Sequence, residues 1–236
     1  MAERIDHIRD AVAEACRVLA QQGLVDYLGH ISARVPGQDY FVVSPRGSAL
    51  GGLYQFTAAD MMIIDADGRK LEGEHEVPSE VHIHTEVMRV RDDVNSVVHT
   101  HQPMAVAFGV TGRVIRPVHV GGSDLFRIPM PVYDNPMSVI TATRGRRVAQ
   151  TLGSHSLLHL RGHGVVAASL SVEQVALSVI SLEQQARHNY YALQLGQPKS
   201  MSAQELRQKA ADLRRVRRTR GDVGRWRYYV SLLGSS

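Results

Sequence analysis

Apolar residues at Ile5, Ile8, Val12, Ala15 and Leu19 recur in steps of three and four, so the chain opens on a helix with a single apolar stripe. Gly23 is placed to end it. The apolar period then shortens to that of strands. Gly29-His30-Ile31-Ser32-Ala33-Arg34 and Tyr40-Phe41-Val42-Val43 predict two strands joined through a Pro36-Gly37-Gln38-Asp39 turn. Met61-Met62-Ile63-Ile64-Asp65 and Arg69-Lys70-Leu71-Glu72 predict a second hairpin around Ala66-Asp67-Gly68, after a capped turn at Thr57-Ala58-Ala59-Asp60. Ser79 is positioned to cap a helix on which Val81, Thr85 and Met88 share a face, ending near Arg91-Asp92-Asp93. Val94-Asn95-Ser96-Val97-Val98 follows as a buried strand. Pro103 suits the first turn of a helix running to Val110, where Thr111-Gly112 stops it.

The second half is punctuated by proline. Arg116-Pro117-Val118-His119, Ile128-Pro129-Met130-Pro131-Val132 and Asn135-Pro136 suit edge strands and shaped loops better than a central strand. Residues 138–152 have helical periodicity, with Arg144, Arg146 and Arg147 on the polar side, and Ser156-Leu157-Leu158-His159-Leu160 reads as another apolar strand. Ser171-Val172-Glu173-Gln174 is a capping-box pattern opening a helix that carries Val175, Val179, Leu182 and Ala186 toward Gly196. A last helix begins at Ser202-Ala203-Gln204-Glu205, runs into the basic residues of 214–220, and is followed by Trp226-Arg227-Tyr228-Tyr229. At 236 residues the expectation is a single domain over 1–236, with a helical basic and aromatic tail from about 203.

Composition narrows the chemistry. Cys16 is the only cysteine, which rules out an intrachain disulfide and a thiolate metal site. Lysine occurs only at Lys70, Lys199 and Lys209, none within an apolar stretch, which argues against imine catalysis. No apolar run approaches the roughly eighteen residues of a membrane span, and the first residues show neither h-region nor cleavage site, so a cytoplasmic location and no membrane partner are expected. The net charge of +4 is modest. The basic run near the aromatics lacks a nucleic-acid reading motif and reads as a solvated helix end that favours the helix dipole.

What remains is histidine and carboxylate. The strand before His99-Thr100-His101 puts residues i and i+2 on one face, so His99 and His101 can point at one ion. His163, in Arg161-Gly162-His163-Gly164 after the second apolar strand, is the candidate third ligand, and three protein ligands with open positions make a catalytic site. Glu80, at the start of a helix, is placed for proton transfer. His84 reads as a satisfied structural histidine and His82 as exposed. His119 is open between an outer-shell role and an ordinary one. Ser44-Pro45-Arg46-Gly47, at a strand end, either offers backbone N–H groups to an anion or is a surface turn.

Taken together, Gly29-His30-Ile31-Ser32-Ala33-Arg34, Ser44-Pro45-Arg46-Gly47, Pro78-Ser79-Glu80, His99-Thr100-His101 and Gly162-His163-Gly164 resemble the class II aldolase/adducin family, over most of the chain from about Ile8 to the end of the helix after Ser171. The resemblance implies a three-layer α/β/α fold with a central, largely antiparallel sheet. It also implies a homotetramer with active sites at subunit interfaces. One divalent ion, zinc first with manganese, iron or cobalt as alternatives, would be held by His99, His101 and His163, with Glu80 handling protons. Sugar-phosphate aldolases of the family carry asparagine at the place of His30, threonine and small residues at 44–47, and paired serines at Pro78-Ser79. Here the pocket residues would be His30, Ser44, Arg46, Gly47 and Ser79, with Tyr229 from the tail, a set that suits a flat carboxylate gripped by an arginine fork.

The forms Gly-His-Ile-Ser-Ala-Arg and Ser-Pro-Arg-Gly, with the Trp226-Arg227-Tyr228-Tyr229 tail, look more like the decarboxylase branch, whose members act on dihydroxyphthalate-type or carboxymuconate-type acids. The leading expectation is therefore a metal-dependent carbon-carbon lyase that decarboxylates a hydroxylated aromatic or enolisable oxo acid. The alternatives are an aldolase or epimerase on a sugar phosphate or hydroxy-ketone, a mononuclear iron oxygenase, and a non-catalytic adducin-like interaction module.

Overall fold

The structure, a computed structural model, describes residues 2–122, 130–216 and 221–234. An eight-stranded sheet forms the middle layer. Its strands are β1 (His30–Arg34), β2 (Tyr40–Val43), β3 (Met62–Asp65), β4 (Lys70–Glu72), β5 (Ser96–Thr100), β6 (Val132–Tyr133), β7 (Leu157–Leu160) and β8 (Gly164–Ser169). They lie in the order β4-β3-β2-β1-β5-β8-β7-β6, antiparallel throughout except for the parallel β6–β7 pair at one edge. The proline-rich stretch therefore does form an edge strand, as proline's missing donor demands. Residues 128 and 129 of that stretch lie outside the described residues.

Alternation along the strands splits the core in two. Ile31, Val98, Val165 and Ala167 meet α1 (Ala2–Gln21) and α5 (Val172–Leu195) on one face. Val43, Val97, Val166 and Ala168 meet α2 (His82–Val90) and α4 (Ala142–Leu152) on the other. The layers are α/β/α, as expected. α3 (Pro103–Val110) starts on its proline, α6 (Ala203–Val216) on a capping box in which Ser202 N–H donates to Glu205 and Glu205 N–H to Ser202 Oγ, and α7 (Gly221–Ser231) lies against α5 and α1. Trp226 Nε1 on α7 donates to Glu14 on α1 at 3.1 Å. Residues 217–220 of the basic run lie outside the described residues.

Two helices begin later than periodicity suggests. Ser79 does not cap α2: it is exposed, and residues 78–84 pass through successive i to i+3 turns, Val81 N–H to Pro78 O at 3.0 Å and Ile83 N–H to Glu80 O at 3.0 Å, before the helix starts at His82. α4 starts at Ala142, capped by Thr141, and not at 138. Both delays leave backbone donors free of the helix ladder, and one of them is used by the site. His82 is half-buried where the pattern made it exposed, because its carbonyl lies under Gly145, at the close crossing of α2 and α4.

Candidate metal centre

β5 carries the first candidate ligand. His99 faces the α2 side and is fully buried, and its Nδ1 lies 3.0 Å from the Val165 carbonyl. A carbonyl only accepts, so the hydrogen sits on Nδ1 and Nε2 keeps its lone pair for the site. That Nε2 is buried with no hydrogen-bond partner, and so are Nδ1 of His101 and Nδ1 of His163. His101 follows the end of β5, where its N–H donates to Leu24 O at 3.2 Å. His163 ends the turn between β7 and β8, whose Gly162 has φ +66. Gly164 then passes so close to β5 that a Cβ there would stand 2.3 Å from Thr100 O and 3.0 Å from the His99 ring. Only glycine admits that approach, which sets the His163 ring 4.9 Å from His99 and 5.2 Å from His101, centroid to centroid.

Glu80 closes the group. Its Oε2 lies 3.4 Å from His163 Nε2 and 3.6 Å from His99 Nε2, while its Oε1 accepts from Val139 N–H at 2.6 Å. Val139 precedes α4, so its N–H is free for this bond. Among the described residues, Glu80, His99, His101 and His163 form the group of potential ligands whose donor atoms lie within 4.8 Å of one another. Burial pushes the Glu80 carboxyl up, but the hydrogen bond from His163, the nearby His99 and the Val139 N–H outweigh it and hold the group well below the usual carboxylate range. Burial, with His30 beside it, holds His99 well below the ordinary imidazole value. An ionised carboxylate beside buried imidazole nitrogens that have no hydrogen-bond partner is a donor set that fits a divalent cation.

The other expected pocket residues divide. His30, opposite His99 in the β1–β5 register, faces the same side with its ring 5.1 Å away. The Arg46 side chain is 54% exposed and pairs with Glu76 at 3.8 Å, and Arg46 N–H donates to Glu76 O, joining this loop to the segment that leads to Glu80. Ser44 is turned the other way: it is fully buried, its Oγ accepts from Ile31 N–H at 3.1 Å, and it faces Cys16, whose thiol burial pushes up to about 12. The two-residue period of β2 puts it on the α1 face. Gly47 packs its Cα against the 25–28 segment, where a Cβ would meet Tyr27 O at 2.5 Å. Tyr229 is buried in the α1/α5 core with its hydroxyl accepting from Gln184 at 3.1 Å, across the sheet from the histidines. His119 stacks on His188 of α5, centroids 4.3 Å apart, outside the group.

Sequence reasoning read His84 as satisfied, and it is: Nδ1 lies 2.6 Å from Ser32 Oγ and Nε2 lies 2.6 Å from His30 Nδ1. It missed that these partners lead to the site. The spacing of His84 four residues after Glu80, and of Ser32 two after His30, carried that signal. Val139 had none, since its contact depends on where α4 begins.

This geometry has a family. The Class II Aldolase and Adducin N-terminal domain matches residues 10–190. The chain belongs to the class II aldolase and adducin family. Within that family it is 39% identical over 185 residues to a 3,4-dihydroxyphthalate decarboxylase of Arthrobacter keyseri, covering 74% of each chain. It is 32% identical over 202 residues to a protein of the same description from Rhodococcus jostii (strain RHA1), covering 81% of this chain and 83% of that one. Among solved structures, an aldolase II superfamily protein from Pseudomonas syringae superposes with a TM-score of 0.83 at 22% identity, over 98% of this chain and 93% of the other. An L-fuculose 1-phosphate aldolase from Glaciozyma antarctica PI12 superposes with a TM-score of 0.81 at 20% identity, over 98% and 90%. The expected three-layer class II aldolase fold is thus observed. Among the described residues, no helix is long and apolar enough to cross a membrane.

Proposed function

We propose that this chain is a metal-dependent carbon-carbon lyase that decarboxylates a hydroxylated aromatic acid, with 3,4-dihydroxyphthalate the first substrate to test. The observation that carries the reading is the buried group of Glu80, His99, His101 and His163, complete in a chain 39% identical to a decarboxylase of that acid. His99, His101 and His163 would hold a divalent cation, zinc first, and the ion would supply Lewis-acid chemistry there. Glu80, ionised and fixed through Oε1 by Val139, takes the proton of a substrate hydroxyl and returns it to the carbon that loses carbon dioxide. The electron pair of the broken carbon-carbon bond goes to that carbon, and a solvent proton restores the hydroxyl.

His30 faces the same space and meets a substrate oxygen. Arg46 grips the second carboxylate: its present bond to Glu76 is exposed and contributes only about 0–1 kcal/mol, so a substrate anion can replace it. Ser79, exposed and next to Glu80 in the chain, would complete the pocket. The exposed Tyr27, Leu28 and Tyr54 are surface suited to burial against another copy, in support of a homotetramer, which light scattering would test. The deciding assay is carbon dioxide release from 3,4-dihydroxyphthalate and related acids by metal-loaded protein, beside cleavage of a ketose 1-phosphate. Glu80→Gln is expected to keep the metal and lose the rate. Efficient aldol cleavage with no carbon dioxide from any acid would return the chain to the aldolases.

A further inference from the structure

His101 stands one residue beyond the sheet. The β5–β8 ladder ends at Thr100, opposite Val165, and Pro103 turns the chain into α3 two residues after His101. A residue placed there has lost the support of strand pairing, although its N–H is held by Leu24 O at 3.2 Å. Further support comes from the side chains on either side of it. Thr100 and Gln102 are both 0% exposed. The two-residue alternation of β5 sends Val97 and His99 toward α2 and Val98 and Thr100 toward α5, and Gln102 keeps to the α5 side.

The two side chains are joined to each other and to α5. Thr100 Oγ1 lies 3.0 Å from Gln102 Oε1, and Gln102 Nε2 lies 2.5 Å from the carbonyl of Val179. A carbonyl oxygen only accepts, so Gln102 turns its amide nitrogen to Val179 and its oxygen to Thr100, whose hydroxyl donates. No group in this link titrates. The amide is free to make it because Gln102, although at the N-cap of α3, does not cap the helix. The Met104 and Ala105 N–H groups that a capping side chain would take are bound to the Glu183 carboxylate at 3.1 Å.

We propose that Thr100 and Gln102 form a clasp around His101, as positioning residues that hold its ring toward His99 and His163 for a divalent cation. Tying residues i and i+2 to one another and to α5 turns the residue between them to the opposite face, where its ring centroid lies 4.7 Å from His99 and 5.2 Å from His163. A buried polar link whose members are all satisfied rigidifies what it joins. An ion held by imidazoles loses affinity when the groups that orient one of them are removed. This rests on the reading of His101 as a ligand and extends it to two residues that point away from the site.

Zinc titration of the metal-free full chain against a chromophoric chelator reads the effect without turnover. Thr100→Val removes the donor and keeps the shape, while Gln102→Met removes both amide atoms. Each is expected to weaken zinc binding about tenfold, and Thr100→Ser, which restores the hydroxyl, to stay within about threefold of wild type. Gln185→Ala, whose lost bonds go to residues 118–121, is the control: it should lower Tm and leave zinc affinity at the wild-type value. Saturated cobalt-loaded protein adds a spectroscopic check, in which the visible absorption of the bound ion should change in Thr100→Val and return in Thr100→Ser. Wild-type zinc affinity in both Thr100→Val and Gln102→Met, with Tm lowered, would reduce the clasp to core packing. So would losses no larger than that of Gln185→Ala. Should Gln102→Met fail to fold, the comparison of Thr100→Val with Thr100→Ser decides alone. A wild-type chain that binds neither zinc nor cobalt would end the metal reading and the clasp with it, whereas variants that match a zinc-binding wild type would end the clasp only.

Discussion

On the α5 side of the sheet, Glu183, Gln185 and Asn189 end on backbone groups. The Glu183 carboxylate accepts from Met104 and Ala105 N–H, both at 3.1 Å, and so caps α3. Gln185 accepts from Val118 and His119 N–H and donates to His119 O and Gly121 O, while Asn189 accepts from Arg116 N–H and donates to Arg116 O. His159 Nε2, against Gly109, is instead buried with no hydrogen-bond partner among the described residues. On the α2 side, His99, His101 and His163 keep buried nitrogens with no partner in the protein, around a carboxylate. The first arrangement braces irregular chain that has no strand to pair with. The second leaves a desolvation cost standing, which folding alone does not reward and a bound cation would relieve.

The contrast can be broken most sharply by exchanging truncations between the faces. His99→Ala should abolish metal retention and turnover together, by elemental analysis and assay, with limited loss of stability. Leu182→Ala, in the α1/α5 core, should cost about 2–5 kcal/mol in denaturant unfolding and leave the metal content alone. If both variants lost metal equally, the faces would be one cooperative site and the distinction would fall.

Acid probes the same contrast through buried neutral histidines. His84 at about 3 and His159 at about 4 bind fewer protons in the folded chain than at their unfolded value of 6.5. Their contribution is therefore complete above about pH 6.5 and is lost as pH falls toward 4 and then 3. The Tm of metal-free protein should fall between pH 7 and pH 4.5, beginning above the range where exposed carboxylates titrate. A flat Tm down to pH 5 would show that these imidazoles are not held neutral.

Two smaller effects sharpen the picture. Gln185→Ala removes four hydrogen bonds to the partly buried backbone of Val118, His119 and Gly121 and should cost about 1–3 kcal/mol without changing metal content. A change in kcat with stability intact would mean that the α5 side reaches the site. Arg46→Lys keeps the charge but loses the fork, and should lower kcat/KM for an aromatic dicarboxylate about tenfold, equivalent to about 1.4 kcal/mol. Since the Arg46 side chain is half-exposed, a wild-type rate would remove it from the pocket without touching the metal centre.

Periods of two and of three to four, with Gly and Pro punctuation, determined which stretches became strands and helices and which residues face inward, because those patterns act through local backbone geometry. They also brought out the members of the candidate centre: His99 and His101 are two apart at a strand end, and His163 stands between glycines, one of which must lie against β5. Tertiary structure decided what depends on contacts between distant segments. Ser44 and Tyr229, plausible pocket residues by position, are turned into the α1/α5 core by strand parity and by the packing of α7. Val139 meets Glu80 only because α4 starts four residues later than its periodicity allows. His84 looked like a residue with its hydrogen bonds already made, and only the register of β1 against β5, with α2 laid across them, shows that those bonds end beside the clustered histidines. A side chain's type and face are written in its neighbours along the chain. The partner it meets is set by packing between segments far apart in sequence.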